Sequence, residues 1–253
     1  MRQRSHCFLE PGFLSSQDTV SCTPTALKIL SWNIHGARSK LDNPLVMHMI
    51  STNDIVFLSE LKTPVPIQVA GYVCYRCTGE DLLRGGCALL VKNDLHPQIE
   101  SVELPTHECI FLRLKCLPHT TLMACYIAPS DSTFHSFAPL AEMRERIEKY
   151  PQEKYILIGD LNARFGEART SFLRGKDLPR GTHYKPSPDP VSTPNSNAKY
   201  ILNAASSLLL LNNLSTKTKD YKSALTFRQG DRWISEIDGC LISPSLLESI
   251  TDF

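Results

Sequence analysis

Apolar positions along the chain fall into short runs broken by polar, glycine- and proline-containing stretches, and the spacing inside each run sets the element it predicts. Leu27-Lys28-Ile29-Leu30-Ser31-Trp32-Asn33 alternates as a half-buried strand does. Asp54-Ile55-Val56-Phe57-Leu58-Ser59-Glu60 and Tyr155-Ile156-Leu157-Ile158-Gly159-Asp160 are continuous apolar runs without helical period. Both read as strands buried on two faces. Residues 69–77, 85–92, 109–115 and 122–127 read as further strands, the last two joined as a hairpin through Pro118-His119-Thr120. Residues 226–228 and 233–242 supply two late strands. Leu45, Val46, Met49 and Ile50 are spaced as on a helix across 41–51, and 137–150 is amphipathic with one charged face. Residues 200–211 begin like a helix and end as an apolar run into Asn212-Asn213, so helix and strand both stay open there. Residues 1–25 are polar and aperiodic, without the long apolar region of a secretory signal, and read as a disordered leader. Residues 164–195, rich in Gly, Pro, Ser and Arg, form the longest irregular stretch. Strand and helix patterns alternate over 26–253 with no repeat and no linker, which predicts one layered α/β domain.

Composition sharpens this. The 253 residues are 42% apolar, enough for one large core. A formal charge of +1 means that no global field draws the chain onto nucleic acid, so any such contact relies on local patches. No apolar run approaches the roughly 18 residues of a membrane span. The nine cysteines are an odd number, and several stand in strand-like runs, which suggests reduced core thiols and an intracellular protein, nuclear or cytoplasmic. Cys74-x-x-Cys77 has metal-ligand spacing, but no second Cys pair or His pair partners it.

The chemically useful side chains fall where apolar runs stop. Asn33, Glu60, Tyr126, Asp160, Asn162 and Asp238 each close or interrupt one, and a layered sheet gathers such ends on one edge. Asp160 and Asn162 lie two apart, so an extended chain points both side chains the same way. A carboxylate paired with a neutral amide suits phosphate chemistry: one group orients or deprotonates a water, and the other donates to a phosphate oxygen without repelling it. The alternative is that Asp-Leu-Asn simply opens a turn. Glu60 is a hard oxygen ligand suited to Mg2+, with Mn2+ as the substitute. Arg84-Gly85-Gly86 is a turn able to approach a ligand. His35, His48, His96, His107, His119 and His135 show no ligand spacing and read as surface or core residues.

Ser31-Trp32-Asn33, Ser59-Glu60, Arg84-Gly85-Gly86, Tyr126-x-x-Pro129, Gly159-Asp160-Leu161-Asn162-Ala163 and Ser235-Glu236-Ile237-Asp238 occur in this order. Together they resemble the successive motifs of the endonuclease/exonuclease/phosphatase superfamily over roughly residues 27–245. The Ser-x-Ile-Asp form, with Thr226-Phe227 ahead of it, is similar to the endonuclease domain of LINE-type (non-LTR) retrotransposons. The resemblance implies a four-layered α/β sandwich of two packed mixed sheets flanked by helices, and a Mg2+-dependent phosphodiesterase that nicks DNA. It implies that Glu60 binds the metal and that Asn33 assists it or holds a phosphate oxygen. Asp160 would position the attacking water, Asn162 contact the scissile phosphate and Tyr126 donate to it. Asp238 would orient a catalytic histidine, while Arg84, Thr226 and Ser235 would line the DNA-facing edge. The family pattern ends in a Ser-Asp-His strand that this sequence does not contain, its last histidine being His183. A C-terminally truncated, impaired copy is therefore expected. A phosphatase or lipid phosphodiesterase of the same superfamily, or a non-catalytic remnant, are the alternatives.

Overall fold

Which face of each strand is covered decides how the chain folds. The computed structural model describes residues 26–77, 85–187, 189–221 and 237–253, together with the backbone alone of 5–9, 227–229 and 232–235. In chain order the elements are β1 (Ser5–Leu9), β2 (Leu27–Asn33), α1 (Pro44–Ser51), β3 (Ile55–Ser59), β4 (Tyr72–Cys77), β5 (Cys87–Lys92), β6 (Ile99–Thr106), β7 (Cys109–Leu114), β8 (Thr120–Tyr126), α2 (Ala138–Lys149), β9 (Lys154–Asp160), β10 (His183–Tyr184), α3 (Ser196–Ala204), β11 (Leu209–Leu210), β12 (Leu214–Ser215), β13 (Phe227–Gln229), β14 (Arg232–Ser235), β15 (Asp238–Ile242) and β16 (Ile250–Asp252). Two six-stranded sheets carry the fold, in the orders β16-β1-β2-β3-β5-β4 and β11-β15-β9-β8-β7-β6. Both are mixed, because β2–β3 and β8–β9 run parallel while their other neighbours run antiparallel.

The inner faces meet through Ile29, Ile55, Phe57 and Leu89 from the first sheet and Ile110, Leu122, Ile156 and Ile158 from the second. On the outside, Val46 and Ile50 of α1 cover Leu30, Val56 and Leu58. Leu140 and Met143 of α2, with Ala198 and Ile201 of α3, cover Met123, Tyr155 and Leu157. The result is the four-layered α/β sandwich. It explains why β3 and β9 are apolar without alternation, since each is covered on both faces. Each such large side chain stabilises the fold by about 1.5–3 kcal/mol through burial.

Several boundaries have local causes. α1 starts at Pro44 rather than at 41, because Asn43 Oδ1 accepts the Leu45 N–H at 2.9 Å and proline suits the first helical turn. The ambiguous stretch 200–211 resolves into the end of α3 and the short strand β11. The single late strand expected over 233–242 is two strands, β14 in a separate ribbon with β13 and β15 in the second sheet. One expectation is corrected: Ser5–Leu9, inside the stretch read as a disordered leader, forms β1, paired antiparallel with both β2 and β16. Cys74 packs in the outer cluster and Cys77 in the inner one. Three residues apart on a strand, they face opposite ways and cannot share a metal ion.

One contact sits against the site described next. β8 and β9 approach so closely that a Cβ on Gly159 would lie 1.7 Å from the Cys125 carbonyl oxygen. Only glycine fits there. Among the described residues, no helix is long and apolar enough to cross a membrane.

Candidate active site

The inward-facing parity of four strands runs out at one edge of the sandwich, each time on a polar residue. On β2 the inward series through Ile29 ends at Asn33. On β8 the series through Leu122 and Ala124 ends at Tyr126, and on β9 the series through Ile156 and Ile158 ends at Asp160. β15 enters at Asp238 and continues inward at Cys240 and Ile242. Register then fixes the neighbours: Asp160 stands between Tyr126 on one side and Asp238 on the other.

Glu60 reaches the same edge by a different route. It follows Ser59 and would by alternation point outward with Leu58. A left-handed backbone at Glu60 (φ 52°) ends the alternation there, and Lys62 repeats the conformation (φ 47°). The turn is held by Ile34 N–H to Ser59 O (3.1 Å), Gly36 N–H to Glu60 O (2.7 Å) and Ala37 N–H to Leu61 O (2.8 Å). From the other side, Leu61 N–H and Lys62 N–H donate to the Gly86 and Gly85 carbonyls. Gly85-Gly86 thus supports the Glu60 turn through its backbone, while Arg84 and Thr226, and the side chain of Ser235, lie outside the described residues.

The side chains converge. Asn33 Nδ2 donates to Glu60 Oε1 at 2.6 Å and to Asp160 Oδ2 at 2.8 Å, so one amide bridges two carboxylates and ties the two sheets together. The Tyr126 hydroxyl donates to the same Glu60 Oε1 at 3.1 Å. Asp160 is fully buried and Glu60 is 6% exposed, burial that carboxylates tolerate only with partners of this kind. Asp160 Oδ1 also accepts the Asn162 N–H at 3.3 Å. β9 ends at Asp160, and Asn162 takes a left-handed backbone (φ 44°), so its place is set by that turn rather than by the extended chain the sequence suggested. Its Nδ2 donates to the Ile127 carbonyl at 2.8 Å. The Asp238 carbonyl accepts from Asn212 Nδ2 at 3.0 Å, while Asn212 Oδ1 accepts the Cys240 N–H. Asp238 also borders a narrow cleft with Ala163, Arg169, Asp189 and Leu210.

Two basic side chains join the site that spacing did not reveal. Lys62 Nζ lies 2.7 Å and His35 Nδ1 2.8 Å from Glu60 Oε2, and the two nitrogens are 3.0 Å apart. His35, read as an ordinary surface or core residue, is 67% exposed in its side chain and still contacts the central carboxylate. Glu108 was likewise not singled out. Its carbonyl accepts the Tyr126 N–H at 2.8 Å, and burial pushes its carboxyl up to about 7.

No group of three His, Cys, Asp or Glu side chains that could hold a metal ion occurs among the described residues. The donor set still fits a hard divalent cation, which takes one or two carboxylates and fills its shell with water and phosphate oxygens. Glu60 would supply the carboxylate and Asn33 Oδ1 a neutral oxygen. Oδ1 now accepts the His35 N–H at 3.1 Å, and Glu60 Oε2 is ion-paired with Lys62, so a cation has to displace these contacts.

The fold compares with solved structures of nucleic-acid enzymes. The 3′ phosphatase NExo from Neisseria, bound to a product DNA hairpin, is 17% identical, with a TM-score of 0.59 and 87% of each chain covered. The catalytic domain of APE2 from Xenopus laevis is 16% identical at a TM-score of 0.54, covering 87% of this chain and 83% of that one. The endonuclease domain of TRAS1, a telomere-specific non-LTR retrotransposon, is 15% identical at 0.50, covering 87% and 85%. No curated protein matches. Residues 30–221 match the model of the Endonuclease/Exonuclease/phosphatase family, to which this chain therefore belongs.

Proposed function

We propose that the chain is a divalent-cation-dependent phosphodiesterase that nicks DNA, of the kind found in non-LTR retrotransposons. The observation that carries this reading is the Asn33 amide bridging Glu60 and Asp160, with the Tyr126 hydroxyl on Glu60. On that edge Glu60 would serve as the metal-binding carboxylate, Asp160 as the base, and Asn33 and Tyr126 as neutral donors. The Ser235-Glu236-Ile237-Asp238 form and the likeness to the TRAS1 domain support the retrotransposon type.

Glu60 and Asn33 would hold Mg2+ or Mn2+. The bound ion would supply Lewis-acid neutralisation of phosphate charge. Asp160 holds a water against the phosphorus and takes its proton during in-line attack. The Tyr126 hydroxyl and the Asn162 amide donate to non-bridging oxygens, where negative charge grows in the transition state. Lys62, released from Glu60, provides positive charge for the DNA strand beside the scissile phosphate, with the His35 imidazole next to it.

The test is nicking of supercoiled plasmid by the full chain with Mg2+, with Mn2+ and with EDTA, in parallel with phosphate release from a 3′-phosphorylated oligonucleotide. Nicked circles with metal, none with EDTA and none from Asp160→Asn are expected. Phosphate release without nicking would instead make it a phosphatase, and nicking that survives Asp160→Asn would remove Asp160 from the chemistry.

A further inference from the structure

β9 ends on Asp160, the loop after it carries Asn162, and α3 begins against that loop. Asn195, the N-cap of α3, accepts the Ala198 N–H (3.0 Å) and the Arg164 N–H (3.2 Å) through Oδ1, and donates from Nδ2 to the Asn162 carbonyl at 2.8 Å. Two residues on, Asn197 is fully buried. Its Nδ2 faces three carbonyls, those of Ala128 (3.2 Å), Leu161 (3.1 Å) and Asn162 (3.2 Å). Ala128 follows β8 and the other two follow β9, so one amide ties together the exits of the strands that end on Tyr126 and Asp160.

That geometry also sets the state of His135. With its NH2 committed to carbonyls, Asn197 presents Oδ1 to His135 Nε2 at 2.8 Å, so Nε2 must carry the hydrogen. His135 stands edge-on to Phe137 (centroids 4.5 Å apart, 88° between planes), and Phe137 stacks on Tyr200 of α3 (4.5 Å, 12°). The chain of contacts runs from Tyr200 through Phe137 and His135 to Asn197, and from there to a left-handed Asn162 (φ 44°), a backbone conformation uncommon outside glycine.

We infer that Asn195, Asn197 and His135 are positioning residues that hold the Asn162 amide in place for phosphate. The inference rests on the phosphate role proposed above for Asn162. Networks of this sort orient the groups that touch substrate, and a displacement of about 1 Å is felt in rate more than in binding.

The test compares His135→Gln, which keeps an N–H donor near Asn197, with His135→Phe, which removes it. The readouts are plasmid-nicking kinetics, hydrogen exchange of residues 159–163 by mass spectrometry, and the thermal midpoint. His135→Phe should lose about tenfold in kcat with KM within about twofold, and should exchange faster at 159–163, while α2 is unchanged. His135→Gln should stay within about threefold of the parent in kcat and match its exchange. Equal losses in both variants, a loss confined to KM, or unchanged exchange in His135→Phe would overturn the inference. If the parent chain cleaves no DNA, the nuclease reading falls. The exchange contrast between the two variants then decides this inference by itself, for or against.

Discussion

Gly159→Ala should be among the most damaging single changes to this fold that removes no side chain. The added Cβ would sit 1.7 Å from the Cys125 carbonyl oxygen and 2.8 Å from its carbon, where ordinary contact begins at 3.4 Å. The obstacle is the backbone of a central strand, not the end of a flexible side chain. Relief requires β8 and β9 to part by more than about 1.5 Å, against a normal spacing of about 4.8 Å. That stretches the ladder bonds flanking the Cys125–Gly159 pair beyond hydrogen-bonding distance. Two bonds lost at about 0.5–1.5 kcal/mol each, plus about 1–3 kcal/mol for each of two groups left buried without a partner, come to about 3–9 kcal/mol. The next pair in register is Tyr126 with Asp160, so whatever protein still folds should also lose catalytic geometry. Urea unfolding followed by tryptophan fluorescence checks the stability term. Gly85→Ala is the control, since a Cβ there meets nothing within 4 Å, and it should change stability by less than about 0.5 kcal/mol. A Gly159→Ala protein within about 1 kcal/mol of the parent would refute the argument.

Three further outcomes are expected. Glu60→Ala should weaken Mn2+ binding, measured by calorimetry, about 100-fold or more while keeping the fold, and unchanged affinity would move the metal elsewhere. Asp160→Asn should lose about 1,000-fold in kcat with KM nearly constant, because Asn is nearly isosteric but cannot take a proton, and a loss seen only in KM would contradict the assignment. Glu108, with its carboxyl at about 7 in the folded protein against 4.5 as the ordinary value, holds its proton more tightly when folded. Its contribution is therefore full below about pH 4.5 and is lost as pH rises through 7. Discounted for partial exposure, it amounts to about 1–2 kcal/mol, so Glu108→Gln should raise the thermal midpoint at pH 8 and leave it nearly unchanged at pH 4.5. Parallel pH profiles for the two proteins would count against it.

Much of the sandwich was legible because its covered strands are apolar without period, as in β3 and β9, while α2 shows a clean charged face. β6 gave no such signal. It lies at the end of its sheet, and half-exposed Glu100, Glu103 and Pro105 break its pattern. Asn33, Tyr126 and Asp160 could be picked out because each closes an apolar run, and the structure joins all three through Glu60 and Asn33. His35 and Lys62 could not. Their approach to Glu60 depends on left-handed turns at 35, 60 and 62, which alternation rules do not anticipate for non-glycine residues. Asn195 and Asn197 were hidden for a related reason. Asn195 is the last residue of the stretch read as irregular and Asn197 follows it, and both have partners more than thirty residues earlier.

The pairing of β1 with β16 has a consequence for how the protein is made. Residues 9 and 250 are about 240 positions apart, and a ribosome adding about 5–20 residues per second needs on the order of 12–50 s to deliver the second after the first. β2 emerges soon after β1 and can cover one of its sides. The other side, which β16 will occupy, stays open through that interval, a row of unpaired amides and carbonyls of the kind that recruits neighbouring chains. Slow translation or a pause before residue 250 lengthens that exposure, and with it the time in which neighbouring chains can pair with the open edge.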